Sequence, residues 1–135
     1  MKAKISLKQV ERHLDPRLKK SKKVSPKILM KSVSKAIKSQ KRRTSYTDAI
    51  PGNWGNRYFR WAVGMTLDAF NAACDEEGIP RAGLLFVKQK TGLPSEGYME
   101  KYIKEHGTLT DYKRHCVEGA AQLECLLTDG LIDIN

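Results

Sequence analysis

Residues 53–78 have the sequence NWGNRYFRWAVGMTLDAFNAACDEEG, which carries the clearest helical pattern in the chain. Apolar side chains recur there at the 3.6-residue spacing of an amphipathic α-helix. They lie at Trp54, Tyr58, Trp61, Ala62, Met65, Ala69 and Ala73. Asn53 is placed to cap this helix and Gly78 to end it, with a break near Gly64 and Thr66 left open. The segment predicts the central helix of a buried core.

Two further helices are predicted after this one. Pro94, Ser95 and Glu96 form a start signal, and Thr108 or Thr110 caps a last helix that stops near Gly130. Residues 84–87 are too short a run for periodicity to separate helix from strand. We favour a helix there, because no second strand is evident to pair with it. Residues 53–135 are thus predicted to form a compact helical domain.

The N-terminal part of the chain is predicted to be a basic, partly helical arm, residues 1–50. Ser6 caps a short helix that ends before Pro16, and Ser25 with Pro26 starts a basic amphipathic helix near residues 26–40. Residues 18–24 are expected to be a solvated connector and residues 45–52 a linker. The predicted fold class is therefore all-α, a small multi-helical domain preceded by a basic arm.

Charge is strongly segregated along the 135 residues, whose net charge is +10. Residues 1–50 contain 16 of the 25 Lys and Arg residues but only three of the 15 acidic residues. Such asymmetry is typical of proteins that contact a polyanion. The predicted nucleic-acid contacts are Lys19, Lys20, Lys22, Lys23, Lys27, Lys31, Lys35, Lys38, Lys41, Arg42 and Arg43, with Arg57 and Arg60 adjoining. A membrane surface is the rival partner, but the apolar face near residues 26–40 is narrow and lacks Trp and Phe.

Aromatic and arginine residues alternate at residues 57–61, a pattern that stacks unpaired bases in single-strand binders. A core-facing stripe is the favoured interpretation, since Trp54, Tyr58 and Trp61 share one helical face. Phe59 lies off that stripe beside Arg60. It is therefore the predicted exposed stacking residue.

A helix-turn-helix is a further hypothesis for the segment that follows. The sequence matches that arrangement in having Val87, then a turn at Gly92 and Leu93, then a helix that contains Ile103. Lys88 and Lys101 depart from it, because both positions are usually apolar. Two ordinary packed helices are the favoured interpretation.

The remaining chemical groups suggest no catalytic or metal centre. The histidines and the three cysteines lack metal-ligand spacing, and no phosphate loop or nucleophile motif occurs. Residues 75–77 are acidic and are interpreted as a solvated helix end, with a protein-contact patch as the alternative. We accordingly predict no catalytic residue, no metal and no cofactor.

The sequence also predicts an intracellular location, in the cytoplasm or nucleoid, or in the nucleus of a eukaryotic or viral host. An odd number of unclustered cysteines suits a reducing compartment, and neither a secretory signal nor a membrane span is evident.

The predicted function is that of a non-catalytic nucleic-acid-binding accessory or regulatory protein, whose arm grips the phosphate backbone of DNA or RNA. The alternative is a protein-interaction module, a subunit or inhibitor of a larger nucleoprotein machine, whose arm orders on binding.

Overall fold

The computed structural model describes residues 3–39, 44–88, 91, 93, 94 and 96–134. Within these residues the chain is mostly helical, as predicted. The α-helices are α1 (Leu7–Arg12), α2 (Pro16–Lys19), α3 (Pro26–Ser39), α4 (Tyr46–Ala49), α5 (Arg57–Glu76), α6 (Glu96–His106) and α7 (Leu109–Thr128). Four short strands are added to them: β1 (Ala3–Ile5), β2 (Thr44–Ser45), β3 (Phe86–Val87) and β4 (Ile132–Ile134). The all-α prediction is corrected to this extent.

The strands form two parallel pairs, each between segments distant in sequence. β1 pairs with β4, in the register that places Ala3 opposite Ile132, and β2 pairs with β3. Ile5 and Ile134 are buried, so the first pair ties residues 3–5 and 132–134 to the core. Strands of two or three residues are too short to show a period-2 pattern, which is why the sequence did not reveal them.

Helix α5 begins later than predicted and is not interrupted. Asn56, not Asn53, is its cap, and the Asn56 side chain accepts a hydrogen bond of 3.0 Å from the Phe59 amide. The helix runs unbroken past Gly64, and within it the Thr66 hydroxyl donates a hydrogen bond of 2.8 Å to the Ala62 carbonyl. The break left open near Gly64 and Thr66 does not occur, and Gly78 takes the left-handed conformation that ends a helix, with φ +67°.

The buried face of α5 is the centre of the core. Its buried side chains are Ala62, Val63, Thr66, Leu67, Ala69, Phe70, Ala73 and Cys74. Helices α1 and α3, both from the N-terminal part of the chain, pack against α5. A 3₁₀ turn at Ala82–Leu85 packs between α5 and α7. Val10, Leu29 and Val33 belong to the same cluster of buried residues as Phe70. The packing of the described residues thus continues across positions 50–53, where the sequence suggested a division between arm and domain.

Two segments expected to be a solvated connector and a linker each contribute a fully buried side chain to this core. Asp15 caps the short helix α2 by accepting a hydrogen bond from the Arg17 amide, and Leu18 within α2 is fully buried. The expected linker at residues 45–52 contains α4, and Ile50 after it is also fully buried. Both expectations are corrected. A single apolar residue among lysines has no periodicity from which its burial could be inferred.

The helix-turn-helix hypothesis fails on the segment that should supply its first helix. Residues 82–85 form a 3₁₀ turn and Phe86–Val87 is strand β3, which pairs with β2, so the helix favoured for residues 84–87 is not formed. The proposed turn residue Gly92 and the side chain of Lys101 lie outside the described residues.

We predict that Leu18→Ala lowers the free energy of unfolding by roughly 2–5 kcal/mol, because it removes a buried side chain and leaves a cavity. Urea unfolding of the full chain measures the change.

Ile28→Ala is the matched control, since Ile28 lies on α3 with 69% of its surface exposed. It should shift the unfolding free energy by no more than about 0.5 kcal/mol. Equal stability of Leu18→Ala and wild type would show that α2 is not packed on the core.

Candidate nucleic-acid interface

Every Lys and Arg in residues 3–39 is exposed to solvent. These twelve cations are Lys4, Lys8, Arg12, Arg17, Lys19, Lys20, Lys22, Lys23, Lys27, Lys31, Lys35 and Lys38. Only Glu11 and Asp15 are acidic in the same range. Among the residues that the structure describes, the lysines at 19, 20, 22, 23, 27, 31 and 35 take part in no salt bridge. Their charge is therefore available to an external polyanion.

Helix α3 separates its lysines from its apolar residues. The Ser25 hydroxyl accepts a hydrogen bond of 3.3 Å from the Ile28 amide and caps the helix start. The inward face is buried and consists of Leu29, Met30, Val33, Ser34, Ala36 and Ile37. The predicted lysine stripe is exposed on the outward side, at Lys27, Lys31, Lys35 and Lys38.

An open groove of about 410 Å³ runs beside this stripe. Its lining comes from Leu7 of α1 and from five residues of α3, namely Lys31, Ser34, Lys35, Lys38 and Ser39. The Lys38 ammonium donates a hydrogen bond of 3.0 Å to the Ile134 carbonyl, which ties it to strand β4. Three of the six residues that line the groove, Lys31, Lys35 and Lys38, are thus cationic.

A second cationic surface forms where residues 17–23 lie against the start of α5. The Tyr58 hydroxyl donates a 2.6 Å hydrogen bond to the Ser21 hydroxyl. The Lys23 ammonium lies 5.2 Å from the centroid of the Tyr58 ring, and the Arg17 guanidinium carbon lies 5.2 Å from that of Trp61. The two rings are half-buried, and their centroids are 5.3 Å apart. We call these five residues the cation–aromatic cluster.

Asp15 holds Arg17 in place within this cluster. Its carboxylate accepts hydrogen bonds from the Arg17 side chain at 3.1 Å (Nε) and 3.0 Å (Nη2), and from the Arg17 amide at 2.8 Å. The bonds from the guanidinium hold the pKa of Asp15 below its ordinary value and raise the pKa of Arg17. The Arg17 side chain is nevertheless 75% exposed.

Phe59 does not have the exposed position predicted for a stacking residue. Its ring is half-buried and meets Trp54 edge to face, with centroids 5.2 Å apart. A Cβ at Gly52 would lie 2.0 Å from Phe59 Cζ, so only glycine permits this contact. The prediction missed this packing because it placed Trp54 on the helix. Trp54 instead precedes α5 and donates its indole N–H to the Ile50 carbonyl at 2.8 Å.

The other predicted contacts are divided between exposed and undescribed positions. Arg57 and Arg60 are exposed, and Arg60 also donates a 3.2 Å hydrogen bond to the Trp54 carbonyl. Lys41, Arg42 and Arg43 lie outside the described residues. The role of all these cations in binding stays a prediction.

The acidic residues 75–77 are not simply a solvated helix end. His13 Nε2 lies 2.6 Å from Glu76 Oε1, and the Gln9 amide donates to Glu76 at 3.2 Å and to Glu77 at 3.1 Å. The bonds from His13 and then Gln9 hold the pKa of Glu76 below its ordinary value. This network fastens α1 to the C-terminal end of α5.

The remaining chemical groups of interest are the possible metal ligands and the Cys74 thiol. No cluster of three or more His, Cys, Asp or Glu residues within that part of the chain could hold a metal ion. Burial raises the pKa of the Cys74 thiol to about 11, so this cysteine is protonated at neutral pH. Close to Cys74 in the sequence, the Asp75 carboxylate accepts two hydrogen bonds, of 3.0 and 3.1 Å, from the Arg81 side chain.

Sequence reasoning did not include Arg17 or Ser21 in the candidate site. The Asp-Pro-Arg order at residues 15–17 was a local signal for the Asp15–Arg17 pair. The contact between Arg17 and Trp61 joins positions 44 residues apart, and no spacing in the sequence encodes it.

None of the helices in the described residues has the length and hydrophobicity that crossing a membrane requires. Comparisons with protein-family models, curated proteins and solved structures gave no significant match to this chain. The case for a function therefore depends on the geometry and charge of the chain itself.

We predict that Arg17→Gln raises the pKa of Asp15 toward its ordinary value of 3.8, because the guanidinium hydrogen bonds are lost. Since the pKa is lowered in the folded protein, the stabilisation by this pair is present above pH 3.8 and is lost as pH falls through the lowered value. Carboxyl ¹³C NMR titration measures the shift.

Lys19→Gln is the control, since it removes a cation from the same short helix without changing a bond to Asp15. An unchanged Asp15 pKa in Arg17→Gln would contradict the pairing.

Proposed function

We propose that this chain is a non-catalytic nucleic-acid-binding accessory or regulatory protein, whose residues 1–50 contact the phosphate backbone. The observation that carries the proposal is the exposure of twelve cations against two acidic residues in residues 3–39. Each cation that neutralises a phosphate releases condensed counterions, which gives affinity without sequence preference.

The packing of this segment supports the proposal. Lysines on a disordered arm must be ordered when they bind, which subtracts from the binding free energy. Here the α3 lysines project from a helix whose opposite face is buried in the core. The backbone that carries them is already ordered, so less conformational entropy is lost on contact with phosphate.

The same packing argues against a membrane surface as the partner. A helix that lies in a membrane interface inserts a continuous apolar face between the lipids. The apolar face of α3 is covered by the core, and Ile28 is the one large apolar side chain of α3 that is exposed within the described residues. The lysine stripe without an apolar face favours a polyanion in water.

Neutralising three lysines at a time tests the proposal. The variants are Lys19, Lys20 and Lys22 to Gln, and Lys27, Lys31 and Lys35 to Gln. Affinities for duplex DNA, single-stranded DNA and duplex RNA are measured across a salt series. If all three lysines of a set contact phosphate, the negative slope of log K against log salt should become shallower by roughly 2 to 3.

The matched control replaces three exposed cations of the C-terminal helices, Lys104, Lys113 and Arg114, with Gln. It changes the net charge equally and should leave the salt slope close to that of wild type. The proposal fails if wild type binds none of these nucleic acids near physiological salt, or if both lysine variants bind like the control. In that case, a partner complex that survives nuclease and high salt would support the protein-interaction alternative.

A further inference from the structure

The cation–aromatic cluster combines the chemical features that hold an unpaired base. Two half-buried aromatic rings lie side by side, and an arginine lies over one of them with most of its side chain in solvent. We propose that this cluster, formed by Arg17, Ser21, Lys23, Tyr58 and Trp61, is a stacking subsite for an unpaired base. The protein would then prefer single-stranded over duplex nucleic acid. The inference rests on the proposed function.

The stacking partner offered to the ligand is the guanidinium of Arg17. Unpaired bases stack on arginine planes as well as on aromatic rings. The Arg17 guanidinium carbon lies over the Trp61 ring, 5.2 Å from its centroid, and the side chain is 75% exposed. A base placed on the outer side would continue the column that begins with Trp61. Bases in a duplex have both faces covered by their neighbours, so they cannot enter this column without unstacking.

The cluster is ordered before any ligand arrives. The Asp15 carboxylate fixes the guanidinium through two hydrogen bonds, and the Tyr58–Ser21 hydrogen bond joins residues 17–23 to α5. Fewer side-chain rotations are therefore lost on binding than at an unsupported arginine.

Phosphate contacts are available beside the cluster. Lys19, Lys20 and Lys22 belong to the same stretch of chain as Arg17 and Lys23, and all are exposed. A cationic surface next to a stacking platform is the arrangement that binds single strands with little sequence preference.

A purely structural role is the competing explanation of the cluster. In that case, Arg17, Ser21 and Lys23 only fasten residues 16–24 to α5, and the strandedness of a ligand makes no difference. The two explanations are separated by comparing single-stranded and duplex ligands.

The first experiment uses the native chain. Its two indole N–H signals in ¹H–¹⁵N NMR belong to Trp54 and Trp61 and are assigned with the variant Trp54→Phe. Oligomers of deoxythymidine and of uridine, and a duplex of the same length, are titrated separately. We expect single strands to shift the Trp61 signal more than the Trp54 signal. The duplex should shift both signals less than single strands shift that of Trp61. Binding of a single strand that leaves the Trp61 signal unmoved would overturn the proposal.

The second experiment compares Arg17→Gln with Lys19→Gln. Both variants remove one exposed cation from α2, so a phosphate contact alone would affect them equally. Arg17→Gln should lose about tenfold more affinity for the single strand than Lys19→Gln, the loss expected for one stacked base. The two variants should bind the duplex alike, and thermal unfolding of each confirms that it remains folded.

The outcomes separate the inference from the proposed function. Equal losses by both variants on both ligands overturn the stacking subsite but leave phosphate binding in place. Absence of binding to any nucleic acid by wild type overturns both.

Discussion

Helix α5 buries a continuous face that includes Phe70, and helices from the N-terminal segment pack directly on it. This burial removes apolar surface from water and is the main favourable contribution to folding. Val10, Leu18 and Val33 from the basic segment enter the same cluster of buried side chains. With the apolar residues turned inward, the lysines between them can only face solvent. The distribution of charge on the surface is thus a consequence of how the core is packed.

The short helices of the basic segment depend on this packing. α1 has six residues and α2 has four, and isolated helices of that length are unstable in water. Ser6 and Asp15 cap them, and the contacts of His13 and Gln9 with the end of α5 hold α1 in position. The backbone of α1, α2 and α3 therefore holds the Lys and Arg residues of this segment at defined places on the surface.

Features with a local sequence signal could be predicted. Ser25 and Pro26 mark the start of α3, Ser6 caps α1, and Thr108, one of two residues considered, caps α7. These predictions are confirmed. They could be made from the sequence because a capping residue and the amide that it bonds are only two or three positions apart. The lysine stripe of α3 follows from the same helical period. Its exposure could therefore be foreseen, whereas its ligand could not.

Features that depend on contacts between distant residues were missed. Strands β1 and β4 are each defined by a partner more than a hundred residues away. The burial of Leu18 and the position of Arg17 over Trp61 depend on how α2 meets α5. The position of Phe59 was predicted wrongly for a related reason. The helix cap is Asn56 and not Asn53, so Trp54 precedes the helix and packs against the Phe59 ring. The exposed lysines of the candidate site were predictable, but the positions of Arg17 and of the aromatic residues were not.

The central claim is that the cationic segment belongs to the same folded unit as α5. Native-state hydrogen exchange tests it most directly, by comparing amides in the middle of α3, such as those of Val33 and Ile37, with that of Phe70 in α5. If the claim holds, these amides exchange with similar opening free energies, close to the free energy of global unfolding. Exchange of the α3 amides at nearly unprotected rates, with Phe70 still protected, would show a loosely attached arm and contradict the account.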